Sequence, residues 1–339
     1  MQKTTIIFVL LITISAIPVY GIAGDAGSRA SFTRTGWVGT RYIAMGKAAE
    51  VVADDVFAIY WNPAGLLGLR GPEPLSPDEI KQMAKEGKID SISEKDLLTF
   101  SQDESSFNVL QIGTSGGMID ASRYAGFGGI AYKFSGHAIG IGLYSIYSPD
   151  IDTYDIAGNK TGETNYSANV GLFSYATYIG DTAVGITIKG LYEKIADIPY
   201  AGAGMDVGVI TEVIPFLKVG FVIQDIATGL YPTEDEEYIE QKYDFGSPSL
   251  KISSAIVSRA NNFTIAFSGI KKIEQDDYEF NIGLELQVYE SMIVYLGLND
   301  SLFTTGCTII IGGLHVGYAF SYDSVDMGYN NFISIMTAL

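Results

Sequence analysis

Apolar and polar residues alternate along most of the chain from Ser106 onward. Between positions 278 and 288, apolar side chains occupy every second position, and Glu, Asn, Gly and Gln stand between them. The stretches 217–225 and 182–193 repeat this pattern. Because successive side chains of a β-strand point to opposite faces, each stretch predicts a strand with one apolar and one polar face.

The alternating stretches are about 9–12 residues long and are separated by turn-forming residues, as in a membrane-spanning barrel. We predict strands near 106–116, 123–134, 137–147, 165–178, 181–194, 203–213, 216–227, 248–258, 261–272, 277–289, 292–299, 303–312, 314–323 and 328–337. A soluble antiparallel sandwich also alternates, but the polar faces here are rich in Gly, Ala, Ser and Thr instead of charge. The expected fold is all-β: a transmembrane antiparallel β-barrel of about 14 strands.

The predicted connections differ in length at the two ends of the strands. Tight turns are predicted at 135–136, 180–181, 214–215, 261–262, 290–291 and 312–313. Long connections are predicted at the other end, over 148–164 and 228–247. Short periplasmic turns and longer outer loops are the usual asymmetry. A segment that precedes the first strand would therefore enter the lumen from the periplasmic side.

Residues 1–23 have the layout of a secretory signal peptide. A cation, Lys3, precedes an apolar run over 6–17, and the small residues Gly21 and Ala23 offer a cleavage site. The alternative is a membrane anchor, but the run is shorter than the ~20 residues of a spanning helix. We expect cleavage and a final location in the bacterial outer membrane.

The amino-acid composition argues against several classes of protein and partner. Hydrophobic residues make up 47% of the chain and charged residues 18%, below the ~25% charge of a soluble domain. The net charge of −18 argues against nucleic acid as a partner, because phosphate contacts need a basic surface. The chain has no nucleophile, zinc or phosphate-loop motif, so we expect no enzyme activity, no cofactor and no metal site. The clustered carboxylates of 228–247 lack EF-hand spacing and predict a solvated acidic loop.

A distinctive segment, 36–67, precedes the first predicted strand. Its features are Arg41, Met45, Gly46, Asp54, Asp55, Asn62, Pro63, Ala64 and Gly65. The run Asn-Pro-Ala-Gly predicts a sharp turn, since Pro fixes φ and Gly accepts positive φ. Together these residues resemble the N-terminal signature of the FadL/PorV-like superfamily of outer-membrane β-barrels. The resemblance implies that residues 24–71 fold into the lumen as a plug and that 105–339 form the barrel.

The superfamily implies two alternative functions. Its FadL branch implies passive uptake of hydrophobic compounds such as long-chain fatty acids, with outer-membrane lipid around the barrel. Phe57, Tyr60 and Trp61 are then candidates for an apolar ligand-binding surface. Its PorV branch implies instead a component of protein secretion, or an interaction or structural protein, with a periplasmic or secreted protein partner.

Two adjacent aspartates and a set of glycines allow predictions about the plug and about the barrel wall. Asp54 and Asp55 need partners in a dry lumen, either backbone amides or cations such as Lys189, Lys218 and Lys251. Glycine weakens a strand, so a cluster of glycines on two neighbouring strands predicts a lateral opening of the barrel wall at membrane depth. The alternative is that the glycines of this cluster make room for the plug. The candidate glycines are Gly126, Gly128, Gly140 and Gly142.

Residues 72–104 do not alternate and predict a polar helical insertion. The run Ser76-Pro77-Asp78-Glu79 combines an N-cap, a proline at the first helical position and a capping-box glutamate. A solvated pair of helices at the periplasmic mouth is the favoured interpretation. A docking site for a periplasmic protein is the alternative.

Overall fold

The structure is a computed structural model that describes residues 31–71, 85, 108–119, 122–196, 198–233, 244–245, 248–258, 262–273, 278–322 and 328–339. The predicted signal peptide, 1–23, lies outside the described residues. The predicted helical insertion, 72–104, also lies outside them except for Lys85. Most of the acidic part of the loop 228–247 is likewise not described.

Antiparallel β-strands make up nearly all of the described chain. They are β1 (Val109–Ile119), β2 (Arg123–Phe134), β3 (His137–Tyr154), β4 (Lys160–Ile179), β5 (Thr182–Ile195), β6 (Ile198–Ile214), β7 (Leu217–Pro232), β8 (Asp244–Phe245), β9 (Ser249–Ser258), β10 (Phe263–Lys272), β11 (Tyr278–Tyr289), β12 (Met292–Asn299), β13 (Leu302–Ile311), β14 (Leu314–Tyr322) and β15 (Tyr329–Ala338). Each strand except the two-residue β8 pairs with its sequence neighbours in the wall, and β1 pairs with β15 to close the ring. The prediction of a closed 14-strand antiparallel barrel is confirmed.

The alternation of side chains along the strands separates the two faces of the wall. On β3, the outward Ile141 and Leu143 are 57% and 55% exposed, whereas Tyr144, which follows Leu143, is fully buried. Large apolar and aromatic side chains recur on the outside of the other strands. An apolar outer face is the surface that a barrel presents to lipid.

Within residues 31–71, the structure has four short helices. They are η1 (Ser31–Arg34) and η2 (Pro63–Gly68), which are 3₁₀ helices, and α1 (Thr40–Ala44) and α2 (Ala58–Trp61). Within the described part of the chain, no helix is long and apolar enough to cross a membrane.

Residues 31–71, here called the lumen segment, lie inside the ring of strands. Helix α1 contacts β12, β13, β14 and β15, while η2 contacts β2 through β6 on the opposite side. Between them, Glu50 reaches Ser268 of β10. A segment that touches strands all around a closed ring is inside it, as the predicted plug requires.

The prediction of a long connection over 148–164 was wrong, because most of these residues belong to β3 and β4. The ladder between β3 and β4 continues through Tyr154↔Lys160, so only 155–159 connect the strands. The ladder shifts register between Ser148 and Ile151, and Asp150 there has φ 51°. This bulge interrupts the alternation that identified the strand. Residues 228–232, also predicted as loop, belong to β7.

The tight turns at 135–136, 180–181, 290–291 and 312–313 lie where the sequence predicted them. The turn predicted at 261–262 belongs to a connection over 259–262, of which Asn262 alone is described. Gly136, Gly180 and the pair Gly312–Gly313 have positive φ, which glycine adopts without strain. The turn predicted at 214–215 is at 215–216, because Ile214 is the last residue of β6.

Candidate functional site

The candidate site is the lumen and the segment that fills it. Helix α1 ends at Ala44 with Met45 as its C-cap, and Gly46 follows with φ 64°, as is common where a helix stops. An added Cβ at Gly46 would overlap the backbone of Leu298 in β12. The Met45–Gly46 pair therefore ends α1 and brings the segment into direct backbone contact with the wall.

The Asn-Pro-Ala-Gly motif begins a helix and does not form the predicted turn with a positive-φ glycine. Asn62 is extended and its Oδ1 accepts a hydrogen bond from the Ala64 amide at 3.1 Å, with Pro63 at the first position of η2. Asn62 Nδ2 also donates to the Glu50 carbonyl at 2.7 Å. Gly65 is needed for space, because a Cβ there would overlap the carbonyl of Ala53.

Inward-facing glycines on many strands form a belt around the lumen segment. At each of them an added Cβ would meet atoms of the segment within van der Waals contact. Gly140, for example, would place its Cβ 2.6 Å from Ile59 Cγ1, and Gly283 would place it 2.6 Å from the Met45 carbonyl oxygen. The belt consists of Gly113, Gly140, Gly185, Gly208, Gly220, Gly283, Gly297, Gly306 and Gly317. It allows the backbone of the segment to approach the wall closely.

Asp54 is held by arginines of its own segment. Arg41 forms ion pairs with Asp54 and, at 2.6 Å, with Glu285 of β11. Arg70 Nη2 lies 2.9 Å from the second Asp54 oxygen. Although burial alone would raise the pKa of Asp54, Arg41 and Arg70 together hold it well below its ordinary value. Of the predicted cations, only Lys218 acts on Asp54, and it does so through electrostatics.

Asp55 has a different environment from its neighbour. Its Oδ1 accepts the Phe57 amide at 2.9 Å, and the hydroxyl of Tyr42 also donates to this carboxylate. Burial raises the pKa of Asp55 to about 6, and the nearby Asp54 adds to the increase. Of the two alternatives predicted for this carboxylate, a backbone amide is the one that Asp55 contacts among the described residues.

The remaining predicted cations bind other carboxylates. Lys189 Nζ is 2.7 Å from both Asp206 Oδ1 and Asp225 Oδ1, and Lys251 Nζ is 3.4 Å from Glu50. Asp206, Asp225 and Glu50 were not predicted as partners from the sequence. A charged residue on the polar face of an apolar strand was the available signal for the two aspartates.

Phe57, Tyr60 and Trp61 are packed inside the lumen segment and against the wall. They are only 2–3% exposed. Trp61 Nε1 donates to the Val38 carbonyl at 2.8 Å, and the Tyr60 hydroxyl accepts the Gly36 amide at 2.9 Å. In this conformation all three side chains stabilise the segment, and their role in ligand binding stays a prediction.

The wall at the predicted lateral opening is continuously paired. The ladder of β2 and β3 runs without a break from Tyr124↔Tyr147 to Phe134↔His137. Gly140 and Gly142 face inward, against Ile59 and Phe127, so these two make room for packed side chains. Gly128 faces outward with nothing within 4 Å of an added Cβ, and Gly126 has only a carbonyl at 3.7 Å.

No group of three or more His, Cys, Asp or Glu side chains within the described ranges is arranged to hold a metal ion.

Sequence comparisons found no relative. No protein-family model matches the chain, and no curated protein sequence matches it.

Solved structures with the same fold are channels. The toluene transporter TbuX of Ralstonia pickettii has a TM-score of 0.55 at 11% identity over 90% of this chain and 98% of its own. The toluene transporter TodX of Pseudomonas putida has a TM-score of 0.55 at 8% identity over 88% and 96%. The monoaromatic hydrocarbon channel CymD has a TM-score of 0.52 at 10% identity over 89% and 96%.

These likenesses show the fold, since sequence identity is low. The similar structures are transporters and channels and not enzymes. The architecture implied by the FadL-like resemblance is confirmed: the chain is a 14-strand antiparallel barrel of the type found in these hydrocarbon channels.

Proposed function

We propose that this protein is a bacterial outer-membrane channel for the passive uptake of hydrophobic compounds. The observation that carries the proposal is a barrel lumen filled by the chain's own buried N-terminal segment. A filled lumen is poorly suited to free aqueous diffusion, and channels named for toluene and monoaromatic hydrocarbons share the fold. Long-chain fatty acids are one substrate class within this proposal.

The proposal includes the parts of the chain outside the described residues. Residues 1–23 direct export and are cleaved, residues 24–71 act as the plug, and 72–104 form a polar helical insertion at the periplasmic mouth. The PorV-like alternative, with a secreted or periplasmic protein partner, has no observation in its favour, because none of the similar structures reported above is a secretion component.

The exit route through the wall rests on the outward glycines. Gly126 and Gly128 leave the lipid-facing side of β2 without side chains at these two positions, and we place the lateral opening there. A Gly128→Val variant tests this route without disturbing the plug, whereas Gly140→Val would collide with Ile59. Slower uptake by a correctly folded Gly128→Val protein would support the lateral exit, and an unchanged rate would contradict it.

Uptake by cells tests the main proposal. A bacterial host that lacks its own hydrophobic-compound channel would express the full chain, and uptake of labelled toluene and labelled oleate would be measured against an empty vector. We expect faster uptake of at least one compound and no swelling of sugar-loaded proteoliposomes. Sugar permeation without hydrophobic uptake would identify a general porin. Absence of both, with a co-purified secreted protein, would favour the secretion role.

A further inference from the structure

Two buried polar side chains on neighbouring strands each keep one atom without a hydrogen bond. Gln224 of β7 is 2% exposed and Ser249 of β9 is 1% exposed, and the two are paired in the ladder. Within the described part of the chain, Gln224 Oε1 and Ser249 Oγ have no partner. A buried polar atom without a hydrogen bond has lost its contact with water and gained nothing in return, which is unfavourable. The pair therefore presents two atoms that a hydrogen-bonding group from outside the chain would satisfy.

The pair lies on the lumen face of the wall. Gln224 Nε2 donates to the Thr33 carbonyl of the lumen segment at 3.3 Å, which orients the side chain inward. Ser249, as its cross-strand partner, points to the same side. Gln224 and Ser249 are the last pair of the β7–β9 ladder, so the site is at the end of this seam nearest the loops.

A bulge adjoins the pair. The β6–β7 ladder shifts register between Met205 and Val207, and Asp225 and Ala227 have φ of 63° and 50°. Such angles are rare for residues other than glycine, and bulges often lie beside functional sites. The distortion of β7 is thus located next to the two unsatisfied atoms.

The charges beside the pair are already balanced. Asp225 contacts Lys189 at 2.7 Å and Arg34 at 3.6 Å, and Lys189 also contacts Asp206. Two cations thus neutralise two carboxylates. Lys272 of β10, which pairs with Ser249 in the ladder, is also buried and contacts Glu279 at 3.1 Å. A ligand carboxylate placed next to Gln224 would therefore add a buried charge beside Asp225 and compete with these carboxylates for the described cations, which is costly.

We propose that Gln224 and Ser249 bind the hydroxyl group of an otherwise apolar compound, such as an aliphatic alcohol. A hydroxyl donates to Gln224 Oε1 and accepts from the Ser249 hydroxyl, so it satisfies both atoms at once. The apolar body of the compound would extend among buried side chains that β3, β5 and β6 direct into the lumen. These are Tyr144, Ile146, Leu191 and Tyr200. The inference rests on the proposed function, because it names a substrate class for that channel.

Matched ligands test the proposal. Binding of labelled 1-decanol, decane and decanoate to the detergent-purified full chain would be measured by scintillation proximity. We expect 1-decanol to bind about tenfold more tightly than decane, because decane leaves both polar atoms unsatisfied. Decanoate should bind no better than decane. In Gln224→Leu/Ser249→Ala the preference for decanol should disappear while decane binding remains.

Controls separate this proposal from the proposed function. Ser174→Ala removes a hydroxyl of β4 that already bonds Thr187 at 2.7 Å, and it should keep the preference for decanol. Ser249→Ala alone covers the case in which the double variant fails to fold. Equal binding of decanol and decane to the wild type, or tighter binding of decanoate, would overturn the hydroxyl site and leave the channel function standing. Absence of binding for all three would count against the channel function itself.

Discussion

Asp54 and Asp55 are adjacent in the chain and have opposite electrostatic environments. Asp54 lies between Arg41 and Arg70, which keep its pKa below the ordinary value. Asp55 is buried, no cation of the described residues forms an ion pair with it, and burial raises its pKa to about 6. One residue therefore stabilises the lumen segment as a charged group, and the other destabilises it when charged.

Removal of the Asp54 carboxylate should loosen the lumen segment. Asp54→Ala leaves Arg41 with Glu285 alone and should lower the free energy of unfolding by about 3 kcal/mol, as for a broken, largely buried ion pair. The measurements are the temperature of the heat-induced gel shift and the single-channel conductance, which should rise. Arg70→Gln is the control: its side chain is 72% exposed, so the loss should stay under about 1 kcal/mol. Equal effects of the two variants would show that Asp54 is solvated.

Asp55 should make stability depend on pH between about 4 and 6. Its pKa rises from 3.8 in the unfolded chain to about 6 in the folded one, so the folded state binds the proton more tightly. Stability is therefore highest below the lower value, falls as pH rises through 6, and then levels off. Asp55→Asn should abolish this fall and be more stable at pH 8 by roughly 2–3 kcal/mol. A thermal-denaturation series from pH 4 to 8 measures it, and parallel curves for both proteins would refute the assignment.

At the scale of secondary-structure elements, the glycine belt is where the strands of the wall contact the lumen segment. The inward glycines occupy positions where the backbone of the lumen segment comes close to the wall, while outward positions of the same strands carry large apolar side chains. One strand can thus contact lipid on one face and a packed segment on the other. The high glycine content, 39 residues, is used in part for this purpose.

A methyl group on the belt should displace the lumen segment. At Gly297 of β12, an added Cβ would overlap the backbone of Met45 and Gly46, which cannot move independently of α1. Gly297→Ala should cost more than about 3 kcal/mol. The outward Gly190 of β5 has nothing within 4 Å of an added Cβ, and Gly190→Ala should change stability by less than about 0.5 kcal/mol. Protease accessibility of the N-terminal segment and thermal denaturation would compare them. Similar stability of the two variants would contradict the belt.

At the scale of the whole molecule, the closed ring of strands and the segment that fills its lumen stabilise each other. The β1–β15 and β6–β7 ladders leave no open edge in the ring, and the lumen segment supplies the apolar contacts that a hollow barrel lacks. The buried apolar core is accordingly continuous from the segment into β1 through β5.

The intact protein should behave as a heat-modifiable barrel. A closed ring of hydrogen-bonded strands resists detergent until it is heated, so boiled and unboiled samples should migrate differently on a gel. Circular dichroism should show a spectrum dominated by β-structure. Identical migration together with a helical spectrum would contradict the architecture.

The alternation in the sequence was sufficient to predict the barrel and most strand limits. β2 and β12 span the predicted 123–134 and 292–299. Period-2 alternation is a local property that a membrane environment enforces at nearly every residue, because lipid and lumen differ sharply in polarity. The prediction failed where a bulge interrupted the period, as at Asp150 in β3.

Only the tertiary structure decided which groups meet in the lumen. The sequence indicated that Asp54, Asp55 and Lys189 need partners, but Arg41, Tyr42 and the pair Asp206–Asp225 come from distant positions. Pairing across a lumen depends on strand register and on the path of the segment, and neither leaves a local pattern. The unsatisfied atoms of Gln224 and Ser249 are a further case, because hydrogen-bond satisfaction is a property of the packed neighbourhood and not of the residue.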